Sequence, residues 1–186
     1  MKDTLNGKFK RYHKNGELSS KGKFTMGDKT GKWAWYYKEG DIDMNGHFKD
    51  DKQEGTWKYW YKNGTLYRKG KFKNGKKSGE WVHYYKNGNI WKKGEYKNGK
   101  KNGLWKIWYK NGQLSQKGAY KNGKETGKWI SWYQNGQKMD EGSFKNGKMF
   151  GEWKGWFDNG QIKYKGKREN DLRQGKWKFW FPNGKT

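Results

Sequence analysis

Tryptophan recurs every 24 residues without a slip, at Trp33, Trp57, Trp81, Trp105, Trp129, Trp153 and Trp177, with Phe9 in phase ahead of them. Three glycine columns keep the same period: Gly7 to Gly175, Gly16 to Gly184 and Gly22 to Gly166. A fixed period of this size means that one supersecondary unit is copied and that each copy packs on its neighbours. Such arrays present long regular surfaces and rarely enclose a single catalytic pocket. Residues 1–186 are expected to form one domain of eight copies, the first and last partial.

Composition says what the buried layer must be made of. Val, Ile and Leu are scarce, whereas there are 14 Trp, 13 Tyr and 9 Phe. The core is therefore built of rings, each hiding roughly 150–250 Å². The 44 Lys+Arg against 18 Asp+Glu give a formal charge of +26, which bears on attraction to polyanions and anionic surfaces rather than on fold. With 0 Cys, disulfides, thiolate metal sites and cysteine nucleophiles are excluded. No apolar run is long enough for a transmembrane helix. Met1 to Leu5 does not read as a signal peptide, so cytoplasmic residence is the default expectation, subject to a signal having been trimmed from the chain.

One unit, GTWKYWYKNGTLYRKGKFKNGKKS from Gly55 to Ser78, holds two Asn-Gly pairs, Asn63-Gly64 and Asn74-Gly75. Asn-Gly between alternating residues signals a two-residue type I′ hairpin, whose central positions both need φ > 0. Two such turns per repeat predict an all-β fold, an elongated antiparallel meander of about fifteen strands, slanted and coiled rather than straight. In this register Tyr61 pairs with Leu66, Trp57 with Gly70 and Arg68 with Trp81. Each leading ring then covers the glycine that follows it, a device that shields bare backbone.

Alternation sorts the side chains by face. Trp57, Tyr59, Tyr61, Leu66 and Phe72 are expected on a structural face, with Lys58, Trp60, Lys62, Lys69, Lys71 and Lys73 opposite. The candidate binding residues are the ring column of that second face, Tyr36, Trp60, Tyr84, Trp108, Trp132, Trp156 and Trp180. Two lysine columns are expected to flank it, Lys62, Lys86 and Lys110 on one side and Lys73, Lys97 and Lys121 on the other.

The pattern is fullest in GLWKIWYKNGQLSQKGAYKNGKETG, Gly103 to Gly127, and resembles the MORN repeat, in particular a bacterial variant whose members are commonly labelled antitoxin or immunity proteins. The resemblance covers nearly the whole chain. It implies an antiparallel meander that binds proteins or lipid without catalysis, and it transfers no active-site residues. Some copies depart from it: Glu39-Gly40, Asp50-Asp51 and Asn170-Asp171 stand where others have Asn-Gly, and Lys138 interrupts the Leu/Ile column.

Catalytic constellations are missing. His13, His47 and His83 fall in three different repeat columns, and no helix follows the glycine-rich loops to receive a phosphate. Neither a cofactor nor a metal is expected, and the chain reads as a non-enzyme. The lysines could act as solvated edge protection, or serve an acidic protein partner such as a cognate toxin. Anionic lipid is a second partner class. Single-stranded nucleic acid fits less well, because rings recurring once per two strands lie roughly 9–10 Å apart, too far for successive stacked bases. An acidic polysaccharide suits that spacing better. A sheet with an oily side also leaves room for pairing as a homodimer.

Overall fold

The computed structural model describes residues 5–186, and every regular element in them is a β-strand. The strands are β1 (Gly7–Tyr12), β2 (Leu18–Thr25), β3 (Asp28–Tyr36), β4 (Ile42–Lys49), β5 (Lys52–Trp60), β6 (Leu66–Lys73), β7 (Lys76–Tyr84) and β8 (Ile90–Lys97). They continue as β9 (Lys100–Trp108), β10 (Leu114–Lys121), β11 (Lys124–Trp132), β12 (Lys138–Lys145), β13 (Lys148–Trp156), β14 (Ile162–Glu169) and β15 (Leu172–Phe179). Their order in the sheet is the chain order, an open antiparallel meander. Residues cluster into two compact units, one running through Asn89 and including Tyr96–Gly99, the other made of Ile90–Glu95 and Lys100–Thr186.

The two Asn-Gly columns make different turns. Asn74 (φ 50°) and Gly75 (φ 74°) both lie in the left-handed region and Lys73 pairs with Lys76, the expected type I′ hairpin. Asn63-Gly64 does not form one. Gly64 N donates to Tyr61 O at 3.0 Å and Tyr61 N to Thr65 O at 2.9 Å, and only Gly64 has positive φ, at 78°. This is a three-residue loop, a type I turn closed by a left-handed glycine. Asn63 is selected there for its side chain: Oδ1 accepts from Thr65 N at 3.2 Å and Nδ2 donates to Lys86 O of the next repeat at 3.2 Å. At Glu39-Gly40 the same loop closes without Asn, through Tyr37 N to Asp41 O at 2.8 Å.

The loop corrects the expected pairing. Leu66 faces Trp60 rather than Tyr61, and the register slips between Tyr59 and Trp60. A one-residue slip moves a side chain to the other face. Leu66 therefore belongs with Trp60, and Tyr67 packs on the aromatic core in its place. A second irregularity follows at Gly79 (φ 63°): Lys71 pairs with Ser78, but Gly70 pairs with Trp81. Arg68 thereby meets His83 instead of Trp81. Because this bulge accommodates two extra residues, it shifts the register without exchanging the faces.

The division into two faces holds on the strand where it is sharpest. Along β5 the burial runs buried at Trp57, exposed at Lys58, buried at Tyr59 and half-buried at Trp60. Trp57 pairs with Gly70 and Trp60 with Leu66, on opposite sides of the pleat.

Candidate interaction surface

The tryptophan face is a closed layer. Trp57, Trp81 and Trp105 are at most 1% exposed. Each ring lies over the glycine that precedes it: Trp57 over Gly46, Trp81 over Gly70 and Trp105 over Gly94, where an added Cβ would fall 2.2–2.3 Å from the nearest ring atom. Trp57 is paired with Gly70, as the sequence register had it, but its indole covers Gly46. The indole N–H explains the direction. Trp81 Nε1 donates to Lys71 O at 3.1 Å, beside the bulge that interrupts the ladder. Trp33, Trp57, Trp105, Trp129 and Trp177 repeat this bond to the carbonyl 10 residues earlier. Edge-on rings fill the gaps, Phe48 at 5.1 Å from Trp57 and Phe72 at 5.1 Å from Trp81.

Lysines also cap this layer, beyond those that alternation places on the opposite face. Lys77 Nζ lies 4.5 Å from the Trp81 centroid, and Lys101 Nζ lies 4.7 Å from Trp105 and 4.4 Å from Tyr120. Burial pulls the Lys101 ammonium below its ordinary pKa, with the Glu125 carboxylate opposing.

The opposite face carries the candidate binding residues, and the structure gathers only some of them. Tyr36 pairs with Ile42, Trp60 with Leu66, Trp108 with Leu114 and Trp156 with Ile162, while Trp132 pairs with Lys138. Each of these rings is half-buried against its cross-strand partner, and Tyr84 and Trp180 are half-buried as well. Lys62, Lys86 and Lys110 are exposed in the three-residue loops at the same ends of the strands. Lys62 lies 3.3 Å from Glu39, and Lys86 Nζ stands 6.0 Å from the Tyr61 centroid. Lys73, Lys97 and Lys121 are exposed at the opposite ends, beside the type I′ turns. Lys73 stands seven residue steps along β6 from Leu66, roughly 23 Å. The second lysine column therefore lies across the sheet from the rings.

Between these two borders runs a feature the candidate set omitted. On the face opposite the tryptophans, lysines sit directly across from lysines: Lys10 from Lys21 and Lys58 from Lys69 in the first unit. In the second unit Lys106 faces Lys117, and Lys154 and Lys178 both face Lys165. Like charges placed directly opposite each other destabilise a sheet. The opposition of Lys58 and Lys69 follows from the register that pairs Trp57 with Gly70. Where Ala34 and Asn45 interrupt the file, a concavity of about 470 Å³ opens, bordered by Lys21, Lys32, Tyr36 and His47. Lys21 Nζ stands 5.5 Å from the Tyr36 centroid.

A tyrosine column ties successive repeats together. Tyr37 OH donates to Trp60 O at 2.7 Å, Tyr61 OH to Tyr84 O at 2.9 Å, Tyr109 OH to Trp132 O at 2.7 Å and Tyr133 OH to Trp156 O at 2.9 Å. Burial, with Asp43 adding to it, pushes the Tyr37 hydroxyl up to about 12. His13 occupies this column, and its Nε2–H donates to Tyr36 O at 2.9 Å. His83 is buried beside Trp81 and Tyr67, and His47 is exposed in the Ala34 concavity. The three histidines thus occupy separate settings. Among the described residues no group of His, Cys, Asp or Glu is arranged to hold a metal ion, and no helix is long and apolar enough to cross a membrane.

No curated protein matches the chain significantly. A family model described as the MORN repeat variant matches residues 5–25, 53–74, 77–98, 101–122, 125–146, 151–170 and 173–186. The stretch it passes over contains Glu39-Gly40 and Asp50-Asp51, yet β3 and β4 there keep the pairing of the other repeats, with Trp33 opposite Gly46. Matched over most of its length and folded into stacked hairpins, the chain belongs to the MORN repeat variant family.

Proposed function

We propose that this chain is a non-enzymatic scaffold that binds a protein partner with an acidic surface through the face opposite the tryptophans. Family membership supports the coarser part of this reading, a repeat scaffold for protein or membrane binding. The observation that carries the finer part is the lysine-against-lysine pairing. Edge protection needs lysine only on edge strands, whereas Lys58–Lys69 and Lys106–Lys117 join interior strands. A face that retains repulsive pairs at some cost in stability suits a negatively charged partner that relieves them. The half-buried rings beside the file supply anchors, since Trp and Tyr are common interface residues. The Ala34 concavity offers a seat for a carboxylate side chain between Lys21 and Lys32. An antitoxin-like role, with a cognate toxin as the acidic partner, is the specific form of this proposal.

The test compares the chain with a Lys58→Glu/Lys106→Glu variant. Capture from nuclease-treated host lysate should yield one protein at fixed stoichiometry with the parent and lose it with the variant. Phosphatidylserine vesicles and a single-stranded oligonucleotide form the other arms. Binding confined to vesicles would replace the protein reading by a membrane one, and binding whose affinity falls linearly with salt in log–log form would point to nucleic acid. Full retention of every partner by the variant would remove the lysine file from function.

A further inference from the structure

The tryptophan face is interrupted in the second unit. Two residues after each Trp stand Trp35, Tyr59, His83 and Ile107, but the next two copies have Ser131 and Gly155. Both small residues pair with Asp140, which lies between them across β11, β12 and β13. The Tyr164 ring lies over Gly155, where an added Cβ would fall 2.2 Å from it, and beside the small Ser131 a hollow of about 350 Å³ remains, walled by rings including Trp129, Trp153 and Tyr164 and carrying Gln116, Glu125, Ser131, Asp140 and Arg168 as polar groups.

Its polar groups are incompletely satisfied. The chain holds 44 Lys+Arg, yet no ammonium or guanidinium pairs with Asp140 among the described residues. Burial raises the Asp140 carboxyl above its ordinary pKa, and only the neighbouring Ser131 hydroxyl opposes that shift. Ser131 is 8% exposed, and its Oγ completes no hydrogen bond of good geometry. Arg168 at one end of the hollow is engaged elsewhere, donating to Asp171 O at 2.7 Å and lying 5.3 Å from the Trp177 centroid. A carboxylate that lines an aromatic hollow without a cationic partner is complementary to a cation with apolar substituents, which gains from the ring faces as well as from the charge.

We propose that the Asp140 hollow binds a small organic ammonium ion, with Asp140 taking the charge, Ser131 Oγ and the Gln116 amide oxygen accepting its N–H groups, and Trp129, Trp153 and Tyr164 holding its carbon chain. This site lies on the face opposite the lysine file and does not depend on the function assigned to that file.

The probe is n-butylammonium chloride, titrated against the full chain with ionic strength held constant by NaCl and followed by indole N–H resonances. Saturable binding is expected, with shifts concentrated at Trp129 and Trp153. Uncharged n-butanol should bind at least about tenfold more weakly. The near-isosteric Asp140→Asn should weaken butylammonium binding by about tenfold or more. Ser131→Ile, which restores the residue found at Ile107, should fill the hollow and abolish binding while the chain stays folded by circular dichroism. No saturable binding, equal binding by Asp140→Asn, or shifts spread evenly over all the indoles would overturn the proposal.

Discussion

Gly70→Ala offers the sharpest test of how the tryptophan face is built. Gly70 pairs with both Trp57 and Trp81, and an added Cβ would sit 2.2, 2.3 and 2.5 Å from three atoms of the Trp81 ring. In an ordinary strand the change should help, because Ala is favoured over Gly by about 0.5–1 kcal/mol. Here the indole must leave its seat. Overpacking costs about 1–3 kcal/mol, and loss of the Trp81–Lys71 hydrogen bond adds about 1 kcal/mol. Set against the Gly→Ala gain, net destabilisation of about 1–3.5 kcal/mol follows. Gly79→Ala is the control: its Cβ would meet open space, but its φ is +63°, so only backbone strain of about 1–2 kcal/mol applies. In a Trp81→Leu background the Gly70→Ala penalty should vanish or change sign, while the Gly79→Ala penalty persists. Urea unfolding followed by circular dichroism, with hydrogen exchange across β6 and β7 to localise the effect, measures both. If the Gly70→Ala cost is the same in either background, the ring-over-glycine account is wrong.

Other outcomes follow from the same geometry. Lys58→Glu should raise stability by about 0.2–1 kcal/mol in urea unfolding, by replacing a repulsive pair with Lys69 by an attractive one, even as partner binding falls. Asn63→Asp keeps the acceptor for Thr65 N but loses the donor to Lys86 O, so it should cost about 0.5–1.5 kcal/mol in the same assay. Asn74→Val forces a β-branched residue to φ 50° and should cost at least about 1–2 kcal/mol, whereas Asn74→Gly should be nearly neutral. Tyr37 is held protonated up to about 12 in the folded chain against an ordinary value of 10.0. Its stabilising share is therefore fully present below pH 10 and is lost as pH rises through about 12. Ultraviolet titration near 295 nm should show a late-ionising phenol that Tyr37→Phe removes, and an unchanged titration in that variant would discard the assignment.

The period of 24 and the scarcity of aliphatic residues determined that this chain is an array of hairpins with a core of rings, because no other arrangement lets every copy bury its aromatics against the next. Strand order and the Trp57–Gly70 pairing were legible for that reason, and so was the sorting of Trp57 from Trp60. Turn chemistry was legible at Asn74-Gly75, where backbone φ selects the residues, but not at Asn63-Gly64, where the Asn side chain bonds to a repeat that a single hairpin does not contain. Tertiary structure alone decided the rest. Three glycine columns that look alike serve as bulge hinge (Gly79), loop closure (Gly64) and ring seat (Gly70), and only the neighbours distinguish them. The bulge at Gly79 shifts β7 against β6, and its counterpart at Gly151 sets Gly155 opposite Asp140, whereas the lysine pairs follow from the register that sets Trp57 against Gly70. Periodicity fixes which residues recur together. Register fixes which of them touch, and it is set by loops and bulges whose hydrogen bonds reach across repeats.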